Sequence, residues 1–124
     1  MRAVKRATAA AVRRPVPLVG VLRPQQLSEM QANANRVSDV LKAIANGARL
    51  MLVCQLAEGE KSVGQLTACV GLAQSAVSQH LALLRRHHVV TTRRHGQSVY
   101  YGLASAEVAE VIKTLHDQFC PKRR

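Results

Sequence analysis

The chain has 124 residues, with 18 Lys and Arg against 7 Asp and Glu, and a formal charge of +11 at pH 7. That length excludes a large multidomain enzyme. A hydrophobic share of 48% excludes a disordered basic chain, while two Tyr and one Phe are too few rings for a base-stacking platform.

Residues 1–29 carry Arg2, Lys5, Arg6, Arg13, Arg14 and Arg23 against Glu29 alone, and Pro15, Pro17 and Pro24 interrupt any long helix. A flexible basic arm is expected there. An organellar transit peptide, or a start codon upstream of the true one, would give the same composition. Residues 30–120 then form the folded domain, and 121–124 a basic tail. No apolar run approaches the roughly 18 residues of a membrane span. Three widely spaced cysteines, Cys54, Cys69 and Cys120, fit a reducing compartment. The expectation is a cytoplasmic protein with no membrane partner.

Val37, Val40, Leu41 and Ile44 recur at helical spacing, which predicts a helix over about 27–46 closed by Gly47 at C′. Arg49 to Ala57 is nearly all apolar, too uniformly so for a surface helix, and Gly59 ends this central core helix. Ser62 and Gln65 form a capping box that starts a short helix through Leu66 and Cys69, stopped by Gly71. In Gln74 to His87, Val77, Leu81 and Leu84 point inward. The opposite face offers Gln74, Ser75, Ser78, Gln79, Ala82 and Arg85. A short helix, a glycine turn and a longer helix with that outer face make a helix-turn-helix whose second helix is the reader.

Val89 to Thr92 and Val99 to Tyr101 are β-formers flanking Arg93, Arg94, His95, Gly96 and Gln97, a hairpin with arginines at its tip. Val108, Val111, Ile112, Leu115 and Phe119 form the stripe of a last helix over 106–120. The fold class is therefore mainly α with a small β-hairpin wing, a winged helix-turn-helix. Its first and last helices lie outside the reading unit and are expected to pair in a homodimer, because a domain of this size buries a modest fraction of its surface alone.

The partner implied is double-stranded operator DNA. No acid lies between Glu60 and Glu107, an interval holding Lys61, Arg85, Arg86, Arg93, Arg94 and four of the five histidines. Gln74, Ser75, Ser78 and Gln79 sit where a helix start meets the major groove, and Gln pairs bidentately with adenine. Arg85, Arg86 and His80 are assigned to phosphate or groove contacts, and Arg93, Arg94 and His95 to the minor groove or backbone. No carboxylate pair, phosphate loop or activated nucleophile suggests an enzyme, and no cofactor is expected.

These residues resemble the ArsR/SmtB family of winged-helix repressors. The resemblance is carried by Ala48-Arg49-Leu50, by Gly71-Leu72-Ala73-Gln74-Ser75-Ala76-Val77-Ser78-Gln79-His80-Leu81 with Leu84 and Arg85, and by Gly96-Gln97-Ser98-Val99-Tyr100-Tyr101, and it spans about 30–120. Ala73 departs from the family's usual Ser, leaving the cap to water or Ser75. The family's metal-ligand run reads Ser62-Val63-Gly64-Gln65 here, and its second site retains only Glu107, His116 and Asp117, so no metal site is expected.

Cys54 and Cys120 fall where the BigR/SqrR-type persulfide-responsive subgroup carries its reactive thiols. The resemblance implies a dimeric repressor that holds DNA when both are reduced and releases it when reactive sulfur species or oxidants bridge them. Cys120, near His116 and the basic tail, is expected to attack first, and Cys54 among Leu, Met and Val to stay protonated. Cys69 has no place in that pattern and is expected to be core or bystander. Two alternatives stand: a metal sensor using His116, Cys120 and Cys54, and a non-specific architectural nucleic-acid-binding protein.

Overall fold

Asn46 decides where the first two helices part. In the computed structural model, which describes residues 23–121, its backbone is extended and its side-chain oxygen accepts from the Arg49 N–H at 3.1 Å, satisfying an amide with no partner inside the helix. Helix α1 (Pro24–Ile44) therefore ends before it and α2 (Gly47–Leu56) begins after it. Gly47 is not the C′ residue expected of it: it lacks the positive φ of that position and is instead the first residue of α2. The Arg49 guanidinium reaches back to the Ala43 carbonyl, joining the two helices.

Pro24 also acts opposite to expectation. At the first helical position its missing N–H would have had no partner, so it opens α1 three residues early, and Gln26 accepts from the Arg23 N–H at 2.8 Å. The remainder of the expected arm, residues 1–22, and of the tail, 122–124, lie outside the described residues. The chain divides into two units after Asn33, inside α1, and the packing below is that of the unit beginning at Ala34.

The capping box forms as read. Gln65 N–H donates to Ser62 Oγ at 3.2 Å and Ser62 N–H to Gln65 Oε1 at 2.9 Å, opening α3 (Val63–Val70), which Gly71 closes in the left-handed region. Recognition helix α4 (Gln74–Arg86) follows, with Val77, Leu81 and Leu84 fully buried. Ala73 stands at its N-cap with no side-chain bond, so Ser75 does not supply the missing cap.

Strands β2 (Val90–His95) and β3 (Ser98–Leu103) are antiparallel and joined by Gly96-Gln97, with Gly96 at φ +63° as a two-residue loop requires. The wing is larger than the hairpin expected. Strand β1 (Lys61–Ser62) pairs with the other edge of β3, Lys61 opposite Tyr101 and Ser62 opposite Tyr100, in the order β1-β3-β2. Ser105 then caps α5 (Ala106–Phe119), accepting from Val108 N–H at 3.2 Å.

The core gathers Leu52, Val53 and Leu56 of α2 with Leu66, Val77, Leu81, Leu84, Val89, Val108 and Ile112. Met51, on the other side of α2, is 53% exposed, so the apolar run of that helix buries one face only.

The end of α4 is a Schellman motif built on a histidine. His88 N–H bonds Arg85 O at 3.0 Å, Val89 N–H bonds Leu84 O at 2.9 Å, and Val89 packs with Leu84 in the core. His88 itself sits at φ +60°, where a Cβ is strained and glycine is not. His88→Gly should raise stability by about 1 kcal/mol. A urea unfolding midpoint at fixed protein concentration checks this, and a fall would show that the imidazole contributes more than the strain removes.

Candidate nucleic-acid interface and thiol pair

The N-terminal turns of α4 present Gln74, Ser75, Ser78 and Gln79 to solvent, as their spacing requires. His80 does not join them: half-buried, it lies on the flank of the inward stripe. Arg85 and Arg86 are exposed at the far end of the helix. Beside them opens a cavity of about 430 Å³ lined by Ala82, Arg85, Arg86, His88 and Tyr101, at the seam of α4 and the wing. The sequence places Tyr101 in the hairpin but not beside the arginines, since nothing local marks a strand tyrosine as a neighbour of arginines 15 and 16 positions earlier.

The wing residues separate into two groups. Arg93 donates from Nε and Nη2 to Glu60 Oε1 at 2.9 and 2.8 Å, and its guanidinium lies 5.5 Å from the ring centroid of Tyr100, its cross-strand partner. Glu60 rests against Gly102, where a Cβ would come within 3.2 Å of Glu60 Cγ. The carboxylate that bounds the acid-free interval is thus folded onto the wing and engages one of its arginines. Arg94 and His95 remain exposed at the tip, with no ion pair among the described residues.

Cys54 is half-buried on α2 and packs against the core, while Cys120 is exposed immediately after α5, its N–H bonded to His116 O at 3.0 Å. Burial pushes the Cys54 thiol above its ordinary value, and charge on Cys120 pushes it further, so the two sulfurs share one electrostatic neighbourhood. Cys69 is exposed on α3 and is therefore not a core residue. A half-open cavity of about 260 Å³ adjoins Cys54, walled on the α5 side by Ala109, Glu110, Lys113 and His116. Among the described residues no three His, Cys, Asp or Glu side chains gather as a metal site, His116 with the two cysteines included. None of the described helices is long and apolar enough to cross a membrane.

The model of the bacterial regulatory protein arsR family matches residues 46–92, which run from the Asn46 cap through the recognition helix into the wing. The transcriptional activator HlyU of Vibrio cholerae is 46% identical over 97 residues, covering 78% of this chain and 90% of that protein. The chain belongs to the arsR family. A structure of reduced HlyU superposes with a TM-score of 0.69 at 46% identity, over 75% of this chain and 98% of that one. The transcriptional repressor BigR of Xylella fastidiosa matches with a TM-score of 0.68 at 40% identity, over 77% and 97%. A homodimeric winged helix-turn-helix domain from Mycobacterium bovis, a possible ArsR-family transcriptional regulator, gives 0.65 at 31%, over 73% and 83%. This ArsR-family chain is a winged helix-turn-helix DNA-binding regulator, in a family of transcription factors and not of enzymes.

The Arg93 guanidinium holds the Glu60 carboxyl below the usual carboxylate range. A carboxyl with a lowered folded-state pKa stabilises the fold above its unfolded pKa, and that contribution disappears as pH falls through the folded value. Glu60→Gln should therefore flatten part of the acid limb of a plot of Tm against pH, the part that lies below the ordinary carboxylate pKa. An acid limb identical to that of the unaltered chain would mean that the wing does not depend on the pair.

Proposed function

We propose that this regulator is a dimeric, cytoplasmic repressor that holds operator DNA while Cys54 and Cys120 are reduced and releases it when they are bridged. The observation that carries the proposal is the shared neighbourhood of the two thiols, one on core helix α2 and one at the end of α5, two helices that pack together. Helix α2 also packs on α4, so a bridge that shifts α5 against α2 is felt at the recognition helix.

The chemistry closes with a persulfide, RSSH, as the oxidant. The Cys120 thiolate attacks the outer sulfur, the donor S–S bond breaks, and RSH departs, leaving Cys120–S–SH. The Cys54 sulfur then attacks the sulfur attached to Cys120, and hydrogen sulfide leaves as the Cys54–Cys120 disulfide forms. Two thiols lose two electrons and two protons, which leave in RSH and hydrogen sulfide. Exposure of Cys120 and the raised pKa of Cys54 support this order of attack. HlyU is named an activator and BigR a repressor; repression follows if the reduced dimer occupies a promoter.

Apolar side chains left in water support the dimer. Leu41 on α1 is 51% exposed, and Val111 and Phe119 on α5 are 42% and 80% exposed. Covering them with a second copy places two α4 helices for half-sites roughly 34 to 36 Å apart. On each half-site Gln74, Ser75, Ser78 and Gln79 read bases, Arg85 and Arg86 hold phosphate, and Arg94 and His95 reach from the wing that Arg93 and Glu60 brace. His80 supports this helix from its flank.

DNA affinity on the upstream region of the chain's own gene, before and after a persulfide donor, tests the switch. Affinity should fall for the unaltered chain and hold for Cys54→Ser and Cys120→Ser. Unchanged affinity in all three would return both cysteines to structural roles and favour a metal as inducer. Gln79→Ala should lose roughly 1 to 3 kcal/mol of discrimination at one base step, whereas Arg94→Ala should weaken all sequences alike and flatten the salt slope by about one contact. Identical behaviour of the two variants would overturn the groove assignment.

A further inference from the structure

We infer that the cavity between the end of α2 and α5 docks a zwitterionic persulfide of amino-acid size, which passes its outer sulfur to Cys54. This inference rests on the dithiol switch proposed above and adds a donor site to it. Cys54 lines the cavity and Cys120 does not, although the two sulfurs interact. The buried thiol is thus reachable from a side its partner leaves open. The cavity lies on a different face of α5 from the Val108 and Val111 strip, so a second copy seated on that strip leaves it accessible.

Size and charge define the ligand. A volume of about 260 Å³ is the share of roughly eight or nine water-sized groups, and cysteine persulfide has about eight non-hydrogen atoms. Ala57 and Ala109 keep the walls shallow. Lys113 and His116 offer a carboxylate two cationic or hydrogen-bonding partners, and Glu58 and Glu110 offer an ammonium two anions. Lys113 pairs with Asp117 at 2.9 Å and Glu58 with Lys61 at 3.2 Å; the Lys113 ammonium and the Glu58 carboxylate are themselves exposed and keep further bonding capacity. A single-signed wall would select an anion or a cation; this one matches a molecule carrying both. Inorganic polysulfide, an anion with no ammonium, is met by Lys113 but repelled by Glu58 and Glu110.

Transfer balances without any other reagent. The Cys54 thiolate attacks the outer sulfur of RS–SH, the S–S bond breaks, and RS⁻ leaves and takes up the proton that the thiol lost, giving Cys54–S–SH and RSH. Where Cys120 has also been persulfidated, Cys54–S–S⁻ attacks the sulfur attached to Cys120, expels HS⁻ and leaves a trisulfide. Occupancy of the cavity therefore sets bridge length: a disulfide when Cys120 alone is charged with sulfur, one sulfur more when both are.

The test follows sulfur addition to the Cys54 peptide by mass spectrometry in full-length Cys120→Ser, with cysteine persulfide and inorganic polysulfide as the two donors. Adding Lys113→Met should slow the reaction with cysteine persulfide about tenfold, the weight of one charge-assisted contact, and slow polysulfide, which has no carboxylate to seat, by less. Lys113→Arg should restore most of the rate. Ala57→Leu, at an exposed position, should slow cysteine persulfide by filling the cavity and, in the chain that retains Cys120, shift the bridge from trisulfide to disulfide. Equal rates for both donors in every variant, or no sulfur on Cys54 from either, would overturn the donor site. The switch itself is read separately: unaltered chain that keeps its DNA affinity under both donors removes the switch, whereas DNA release with an unselective Cys54 removes the donor site alone.

Discussion

Leu52, Val53 and Leu56 leave the solvent almost entirely, and α3, α4, α5 and β3 all close on the helix that carries them. Each such side chain contributes about 1.5 to 3 kcal/mol by burial, so in a domain this small one helix face supplies a large part of the driving force. Among the described residues no ion pair ties the recognition helix to the rest of the fold. That helix is held through Val77, Leu81 and Leu84 against this same centre. A close-packed centre is not continuously deformable. Whatever shifts α2 by a fraction of an ångström must therefore shift α4 as well, or leave a void.

Legibility in the sequence followed the range of the interaction. The Ser62–Gln65 box, the Gly71 stop and the Gly96 turn each need two to four neighbouring residues, and each forms as read. Gly47 misled because glycine after an apolar periodic run resembles a helix end, while Asn46 beside it was the stronger signal, a side-chain oxygen placed three residues before the amide it caps. His88 went unrecognised as the closing residue of α4 because the motif there is defined by φ and not by composition. A two-residue β1 has no periodicity to detect, so the third strand of the wing was invisible. Glu60 and Arg93 are 33 positions apart, and only the folded sheet reveals that they meet.

Charge and apolar surface divide the regulator functionally. Along the outer face of α4 and at the wing tip the exposed side chains are small, polar or basic, and the acid beside the wing, Glu60, is engaged by Arg93. Along α1 and α5 Val37, Leu41, Val111 and Phe119 are half-buried or exposed. A reading surface gains from long-range attraction to phosphate, which salt screens, whereas a surface that joins two copies gains from area, which salt hardly affects. In the proposed dimer, placing the two on separate elements lets the DNA contact be lost without loss of the subunit contact. Cys54 sits between them, on the core helix that packs on both α4 and α5, and Cys120 follows the last residue of α5.

In the proposed switch, that position also explains how a slow thiol can serve a sensor. A cysteine held protonated by burial reacts poorly with dilute oxidants met at random, because the thiolate is the nucleophile. Selectivity must then come from something that raises the local concentration of the correct donor or delivers the sulfur from within. Cys120, exposed at the end of α5, can capture sulfur and present it intramolecularly; the mixed-charge cavity can hold a donor against Cys54 directly. Both routes exchange intrinsic reactivity for proximity, which in oriented intramolecular reactions outweighs the loss from a raised thiol pKa. On this account the raised pKa of Cys54 is the filter that excludes random oxidants, and the residues around it determine what passes.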